Sequence, residues 1–534
     1  MASSSQPRQA VVVVHGIGEQ KPGETLNGIL GAIGDTGELG EARFVAVPDT
    51  RTGSRELYRV TTVGGDNLPR RTDFYEFYWA DIMAGNTLDQ VKSWVFGLLL
   101  RKRGDVPDHI KWAWLTLWAI SISIVGLFVA AVATFFMGTE LGRGGQIFLG
   151  VIVVGLPLIQ VARSLLGMKA NTRDLLYAFG LVALLASVLT AIVVFTGSFA
   201  LFGNLSLYLM LAALGLAYIV RRLVVPFVGD VARYARVTPD TIEQRAKVIE
   251  RGLALLRELH GKPKQPGIKY IDDSNMPAYD RVIIVAHSLG TMIAYDLIKH
   301  FWVERGPVRG GVRSAQALEG MERLGAKLKD LELVTNGDDL QTFRAEQRSI
   351  CADLAQTDGA WRISDFISIG SPLTHAEFLL AQNAEELRGQ VERGLLPQCP
   401  PQLFGDGALK ENPITYRSSD GSIYARHSAP FSATRWVNIF DDPENGVLRG
   451  DVVSGRLRKL FKAGIVDVDV TINGKFGHNF THTSYWKPTA KTLGVEAPEF
   501  FLEGISPSVE NAHLQTLMAA MALREPVRPE ELSA

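Results

Sequence analysis

The chain has 534 residues, with 55 basic and 56 acidic side chains and a net charge of -1. It offers no excess positive field to neutralise phosphates, so general nucleic-acid binding is excluded. Two cysteines, Cys351 and Cys399, are too few for a disulfide framework or a cysteine zinc site. Only 21% of residues are charged and the mean hydropathy is +0.10, which points to apolar residues gathered in membrane-type runs.

In chain order, Ala10 to Val14 is an unbroken β-branched run, as in a strand covered on both faces of a parallel sheet, and it ends in the glycine loop "HGIG". "TDFYEFYWAD" predicts a second strand around Phe74 to Trp79. "TLDQVKSWVFGLLLRKR" then joins an apolar cluster to a basic one, fitting either a helix at a leaflet surface or a plain connecting helix. Uncharged runs follow from Trp112 to Met137, between Arg143 and Arg163, and from Leu175 to Val220, the last long enough for two spans of about 20 residues. Four transmembrane helices are the expectation. Basic residues flank the block at Arg101, Lys102, Arg103, Lys111, Arg221 and Arg222 and recur in its middle loop, which places both flanking regions on the cytoplasmic side. The N-terminus has an apolar run too short for an export signal.

Beyond the block, Pro239 to His260 reads as a helix, and Arg281 to Gly290 as a strand with a sharp turn that leads into helical patterning. Further strands are expected in "WRISDFISIGSP", "TRWVNIFDDP" and Gly464 to Ile472. Lid-like insertions fall near 303–360 and 376–430, and the tail after Arg524 is expected to fray. The fold class is therefore α/β, a mostly parallel sheet with helices on both faces, interrupted by an all-α membrane insertion. The expected domains are 1–110 and 223–534 as two parts of one unit, with 111–222 as the insertion.

The pentapeptide Ala286-His287-Ser288-Leu289-Gly290 fits a nucleophile elbow, small-x-Ser-x-small, between a predicted strand and a predicted helix. Its small positions are needed because neighbouring backbone crowds them. A serine hydroxyl needs an imidazole as base, and that imidazole needs a carboxylate to fix its tautomer. "RWVNIF" delivers Asp441 and Asp442 at a strand end, and "FGHNFTHTSYW" supplies His478 and His482. Asp442 is preferred because Pro443 biases it to extended backbone, with Asp441 as the alternative. His482 is preferred over His478 because the following Tyr485 and Trp486 can pack the loop down. Backbone N–H groups of Ile17 and Leu289 are the candidate oxyanion donors, with His15, Gly16 and His287 as pocket candidates. His15 is expected to order its loop rather than transfer protons.

"VVVVHGIG", "IIVAHSLG", "FISIGSPL", "WVNIFDDP" and "THTSYW", in this order, resemble the lipase and esterase branch of the α/β-hydrolase superfamily, outside the stretch Trp112 to Val220. The resemblance implies a Ser-His-Asp hydrolase acting through an acyl-enzyme: Ser288 the nucleophile, His482 the general base and acid, Asp442 its orienter, with no metal or organic cofactor. Because the membrane block leaves from the rim where the elbow lies, the expected substrate is an ester or thioester of an acyl lipid or lipidated protein entering from the bilayer. The expected setting is a bacterial plasma membrane, with both termini and the catalytic domain cytoplasmic. Two readings stand beside this one: a membrane-anchored esterase or amidase for a small soluble substrate, and a non-catalytic membrane scaffold. The oligomeric state is left open.

Overall fold

A computed structural model describes residues 7–16, 21–37, 39–40, 42–49, 51, 57–64, 69–83, 100–106, 111, 114, 115, 118, 234–235, 241–261, 279–308, 315–330, 337–356, 361–403, 411–442, 450–451, 453–473, 481–503, 505 and 511–526. The chain divides into two compact units. One comprises 1–84, 233–442 and 450–534; the other comprises 85–232 and 443–449. The second unit thus begins and ends at different residues from the expected 111–222 block.

The first unit is an α/β sheet structure. Its strands are β1 Arg8–Val14, β2 Arg43–Pro48, β3 Tyr58–Val63, β4 Arg71–Phe77, β5 Arg281–His287, β6 Ile363–Ile369, β7 Thr415–Arg417, β8 Ile423–Ala425, β9 Arg435–Phe440, β10 Val466–Asn473 and β11 Lys491–Glu496. Nine of them form one sheet in the order β11-β10-β9-β6-β5-β1-β4-β3-β2, and β7 pairs with β8 in a separate hairpin. From β10 across to β4 the pairing is parallel. Both margins of the sheet are antiparallel.

Every residue of β5, β6 and β9 is buried, so both faces of the sheet centre are covered. Unbroken apolar runs such as "VIIVA" and "VVVV" follow from that, each buried Val or Ile contributing about 1.5–3 kcal/mol. The larger helices are α1 Glu24–Thr36, α2 Ile242–His260, α3 Leu289–Arg305, α4 Ala315–Asp330, α5 Gly337–Gln356 and α6 Ala512–Met521. α1 packs with α6, and α3 with α2. Gly23, which precedes α1, has no side chain to cap the helix. Glu76 of β4 does so instead, its buried carboxylate accepting the Gly23 N–H. The stretch near 303–360 carries α4 and α5; α5 packs against α4, β6 and β9 and buries Leu340, Phe343 and Ile350.

Of the tail expected to fray after Arg524, Glu525 and Pro526 are described, and 527–534 lie outside the described residues. Glu525 bridges Arg435 at 2.7 Å, Arg348 at 3.1 Å and Arg281 at 3.3 Å. Asp365 lies between Arg281 and Arg435 at the same end of the sheet, 2.8 Å from Arg435. A carboxylate shared among guanidinium groups holds Glu525, where sequence position alone predicts mobility.

The membrane expectation is corrected. Among the described residues no helix is long and apolar enough to cross a membrane. The three runs between Trp112 and Val220 that led to it lie, apart from Trp114, Leu115 and Trp118, outside the described residues. Run length reports uncharged composition, and composition by itself does not establish a spanning helix. The fold class therefore reduces to α/β with a large mostly parallel mixed sheet, and neither a transmembrane insertion nor an integral-membrane location is retained.

Candidate active site

Ser288, His15, Gly370 and Asp441 each follow the C-terminal end of a parallel strand, respectively β5, β1, β6 and β9. Loops leaving that edge converge in open α/β sheets, which brings sequence-distant side chains together. Ser288 sits at φ 53°, ψ -131°, a conformation rarely adopted by a side-chain-bearing residue. Its N–H donates to the Ile369 carbonyl at 2.9 Å, and its carbonyl accepts the Thr291 hydroxyl at 2.7 Å. Gly290 is the residue that makes the turn possible: a Cβ there would lie 2.4 Å from the His15 carbonyl oxygen and 2.5 Å from that of Val14. The small position two residues after the serine is thus set by the backbone of β1, the strand next to β5.

His482 Nε2 lies 2.8 Å from Ser288 Oγ. Its Nδ1 lies 2.9 Å from both carboxylate oxygens of Asp451. A carboxylate can only accept, so Nδ1 carries the hydrogen and Nε2 is left to accept from the serine hydroxyl. Ser288, His482 and Asp451 are all buried, at 1%, 3% and 0% exposure, so the chain of hydrogen bonds is shielded from competing water. Burial alone pushes the Asp451 carboxyl up, but the His482 ring and hydrogen bonds from His482, Tyr485 and the Val453 N–H outweigh it, and the net shift is downward. Tyr485 donates to Asp451 Oδ2 at 2.7 Å, and the Val453 N–H donates to Oδ1 at 3.0 Å. Gly370, at φ +59°, lets β6 end beneath this pair: a Cβ there would sit 3.0 Å from Asp451 Oδ2 and 3.2 Å from His482 Nδ1.

The carboxylate is where the sequence reading needs correcting. Asp442 is exposed, and its N–H donates to Asp469 Oδ1 at 3.3 Å. His482 meets Asp451 instead. Asp441 is buried beside the site, but its Oδ2 accepts from the Thr481 hydroxyl at 2.6 Å and the Ile472 N–H at 3.3 Å, not from His482. β9 ends at Phe440, and the Asp451 N–H donates to the Asp441 carbonyl at 3.0 Å, so the carboxylate that meets His482 lies in a turn beside the strand end and not on it. Its one local signal is the Asp-x-x-Ser turn of Asp451 to Ser454, whose N–H closes on the Asp451 carbonyl at 3.1 Å.

His287 donates from Nε2 to the His482 carbonyl at 2.7 Å, and burial pushes its pKa down to about 3, so the ring stays neutral. His15 accepts the Trp79 N–H at Nε2 (3.2 Å), donates from Nδ1 to the Gly16 carbonyl (2.8 Å) and stacks on the Trp79 ring at 4.9 Å. Burial lowers its pKa to about 4, which suits a neutral ring that fixes the loop after β1. Gly16 lies against Ser288 and His287. Leu289 is the first residue of α3, where helix N–H groups lack intrahelical acceptors. Ile17, the other expected oxyanion donor, and His478 lie outside the described residues. Among the described residues no cluster of His, Cys, Asp or Glu could hold a metal ion.

Comparison with family models, curated proteins and solved structures finds no match to this chain. The resemblance to the α/β-hydrolase superfamily with an inserted transmembrane block is therefore not upheld as a family assignment. What the site can do has to be argued from its own geometry.

Proposed function

We propose that the protein is a serine hydrolase that cleaves ester or thioester bonds through a covalent acyl-enzyme. The observation that carries this reading is the buried relay from Ser288 Oγ through the His482 ring to Asp451, with heavy-atom separations of 2.8 and 2.9 Å. A strained serine backed by an imidazole that is itself oriented by a buried carboxylate is an arrangement suited to nucleophilic catalysis.

In this reading Ser288 Oγ attacks the acyl carbon as its proton passes to His482 Nε2. The imidazolium so formed is stabilised by Asp451, which remains ionised. Collapse of the tetrahedral species breaks the bond to the leaving oxygen or sulfur, which takes the proton from Nε2. Water then attacks the acyl-enzyme with His482 again as base, and Ser288 leaves with its proton restored. The Leu289 N–H at the start of α3 is the proposed donor to the oxyanion. An acyl substrate drawn from a bilayer is not carried forward, because that narrower expectation rested on membrane spans at the site's rim.

The test is covalent labelling of the full-length protein with a fluorophosphonate, followed by hydrolysis assays on p-nitrophenyl esters of graded acyl length, a thioester and an anilide. Labelling is expected in the wild type and lost in Ser288→Ala and His482→Ala. A folded wild type that neither labels nor turns over any of these compounds would falsify the reading.

A further inference from the structure

A second carboxylate braces the segment that carries the base. Asp441, the first residue after β9, is 3% exposed. Its Oδ2 accepts the Thr481 hydroxyl at 2.6 Å and the Ile472 N–H at 3.3 Å, which ties the residue before His482 to β10. Its own N–H donates to the Tyr485 hydroxyl at 3.1 Å, and that hydroxyl donates to Asp451 at 2.7 Å. Its carbonyl accepts the Asp451 N–H at 3.0 Å. Apart from the Ile472 contact, each of these bonds ends on Asp451 itself or on a group next to His482 or bonded to Asp451. Asp441 is therefore placed to set both the position of the imidazole and the field around it.

We infer that Asp441 is a positioning residue for the base: through Thr481 and Tyr485 it fixes His482 against Asp451, and its ionisation strengthens His482 as a proton acceptor. The inference rests on the hydrolase reading above. The charged and titratable groups around Asp441 are Asp451 and Tyr485 on the triad side and Asp469 on β10, the last reached by Arg456 at 3.4 Å. Burial pushes the Asp441 carboxyl up to about 7; the Thr481 and Ile472 hydrogen bonds oppose that rise, while Asp451 and Asp469 add to it. The group is thus neutral well below pH 7 and anionic well above it. An added anion near the relay favours the imidazolium that forms as Ser288 attacks.

The experiment measures the rate of fluorophosphonate labelling of Ser288 in the full-length protein from well below to well above pH 7, for wild type, Asp441→Asn, Thr481→Val and Thr481→Ser. Asn retains an acceptor for Thr481 but cannot ionise. The wild-type to Asp441→Asn rate ratio is expected to rise from near one below pH 7 to about three- to tenfold above it. Thr481→Val is expected to slow labelling about tenfold at every pH, with Thr481→Ser recovering most of the loss. If Asp441→Asn does not accumulate as folded protein, the Thr481 pair decides the question. A ratio that does not change with pH, or equal rates for Thr481→Val and Thr481→Ser, overturns the inference while leaving Ser288 labelling intact. Absence of Ser288-dependent labelling in the wild type at every pH overturns the hydrolase reading and this inference with it.

Discussion

His287 and His482 are 195 residues apart in sequence, yet the Nε2–H of the first donates to the backbone carbonyl of the second at 2.7 Å, with ring centroids 4.7 Å apart. The residue before Ser288 thus holds the backbone of His482, and Trp486 closes on the His287 ring edge-on at 4.7 Å. His287→Phe keeps a ring of similar breadth but removes this hydrogen bond to the buried carbonyl. The expected result is a loss of about 1–3 kcal/mol in stability, read by denaturant unfolding, and a labelling rate at Ser288 about tenfold lower. An unchanged rate would show that His482 is held without this bond.

Two aspartates near the end of β9 separate sharply by geometry. Asp451 meets the His482 ring, whereas Asp442 is exposed and is bonded through its N–H to Asp469. Asp451→Asn is expected to lower the rate of Ser288 acylation by about 10³–10⁴-fold, because an amide no longer enforces the required tautomer. Asp442→Asn is expected to stay within about twofold of wild type, as for other exposed substitutions. Rates measured side by side on one ester decide the matter, and the reverse ranking would disprove the assignment of the acid.

At Gly290 the constraint is steric. A methyl there meets two backbone oxygens at 2.4 and 2.5 Å, and neither belongs to a flexible side chain. Gly290→Ala is expected to cost about 2–3 kcal/mol, since β1 and the elbow must move apart. Thermal melting compared with Gly31→Ala, where nothing lies within 4 Å of the added carbon, gives the check; equal melting temperatures would mean that the elbow has slack.

His260, remote in sequence from the triad, offers a pH test. It donates from Nδ1 to the Leu256 carbonyl at 2.8 Å, accepts the Arg362 N–H at 3.1 Å, and is pushed down by burial from 6.5 to about 3. Between those values the unfolded chain binds a proton that the folded chain does not, so stability falls as pH drops below 6.5. At about pH 5 the loss for this one group is about 2 kcal/mol. His260→Gln cannot take up the proton, so the stability gap between variant and wild type is expected to move in the variant's favour from pH 7 to pH 5. A gap independent of pH would mean that His260 titrates alike in both states.

Glu525 supplies the last test. The pull of Arg435, Arg281 and Arg348 holds its carboxyl well below the usual range, against the upward push of burial. Such a carboxylate stabilises the fold above its unfolded pKa, and the contribution is lost as pH falls through the depressed folded value. Glu525→Ala removes one carboxylate from a cluster in which Asp365 still pairs Arg281 and Arg435, and is expected to cost about 1.5–3 kcal/mol by urea denaturation at neutral pH. No measurable change would indicate that the tail is not clamped in solution.

The strands that hold the site are legible in the sequence because burial on both faces demands continuous apolar runs: "VVVV", "VIIVA" and "WVNIF" become β1, β5 and β9. Ser288 is legible because its turn needs small residues at fixed offsets, and His482 because a histidine followed by Tyr485 and Trp486 carries its own packing. The edge strands β2 and β11 and the neighbouring β3 are not legible, since their partly exposed residues, as in "RFVAVP", follow no burial period. Long uncharged runs suggested membrane helices because hydropathy reports composition, whereas spanning is a property of a formed helix. Most of those runs lie outside the described residues, and among the described ones no helix meets the requirement. The partner of His482 was decided only in three dimensions. A strand-end aspartate is favoured by sequence order, but the chain returns after β9, and the hydrogen bond from the Asp451 N–H to the Asp441 carbonyl puts the later residue under the imidazole. Sequence thus pointed to Ser288, His482 and the sheet, because each depends on local sterics or on a run of residues. The carboxylate that meets His482 depends on where a later segment closes, and only tertiary hydrogen bonding fixes that.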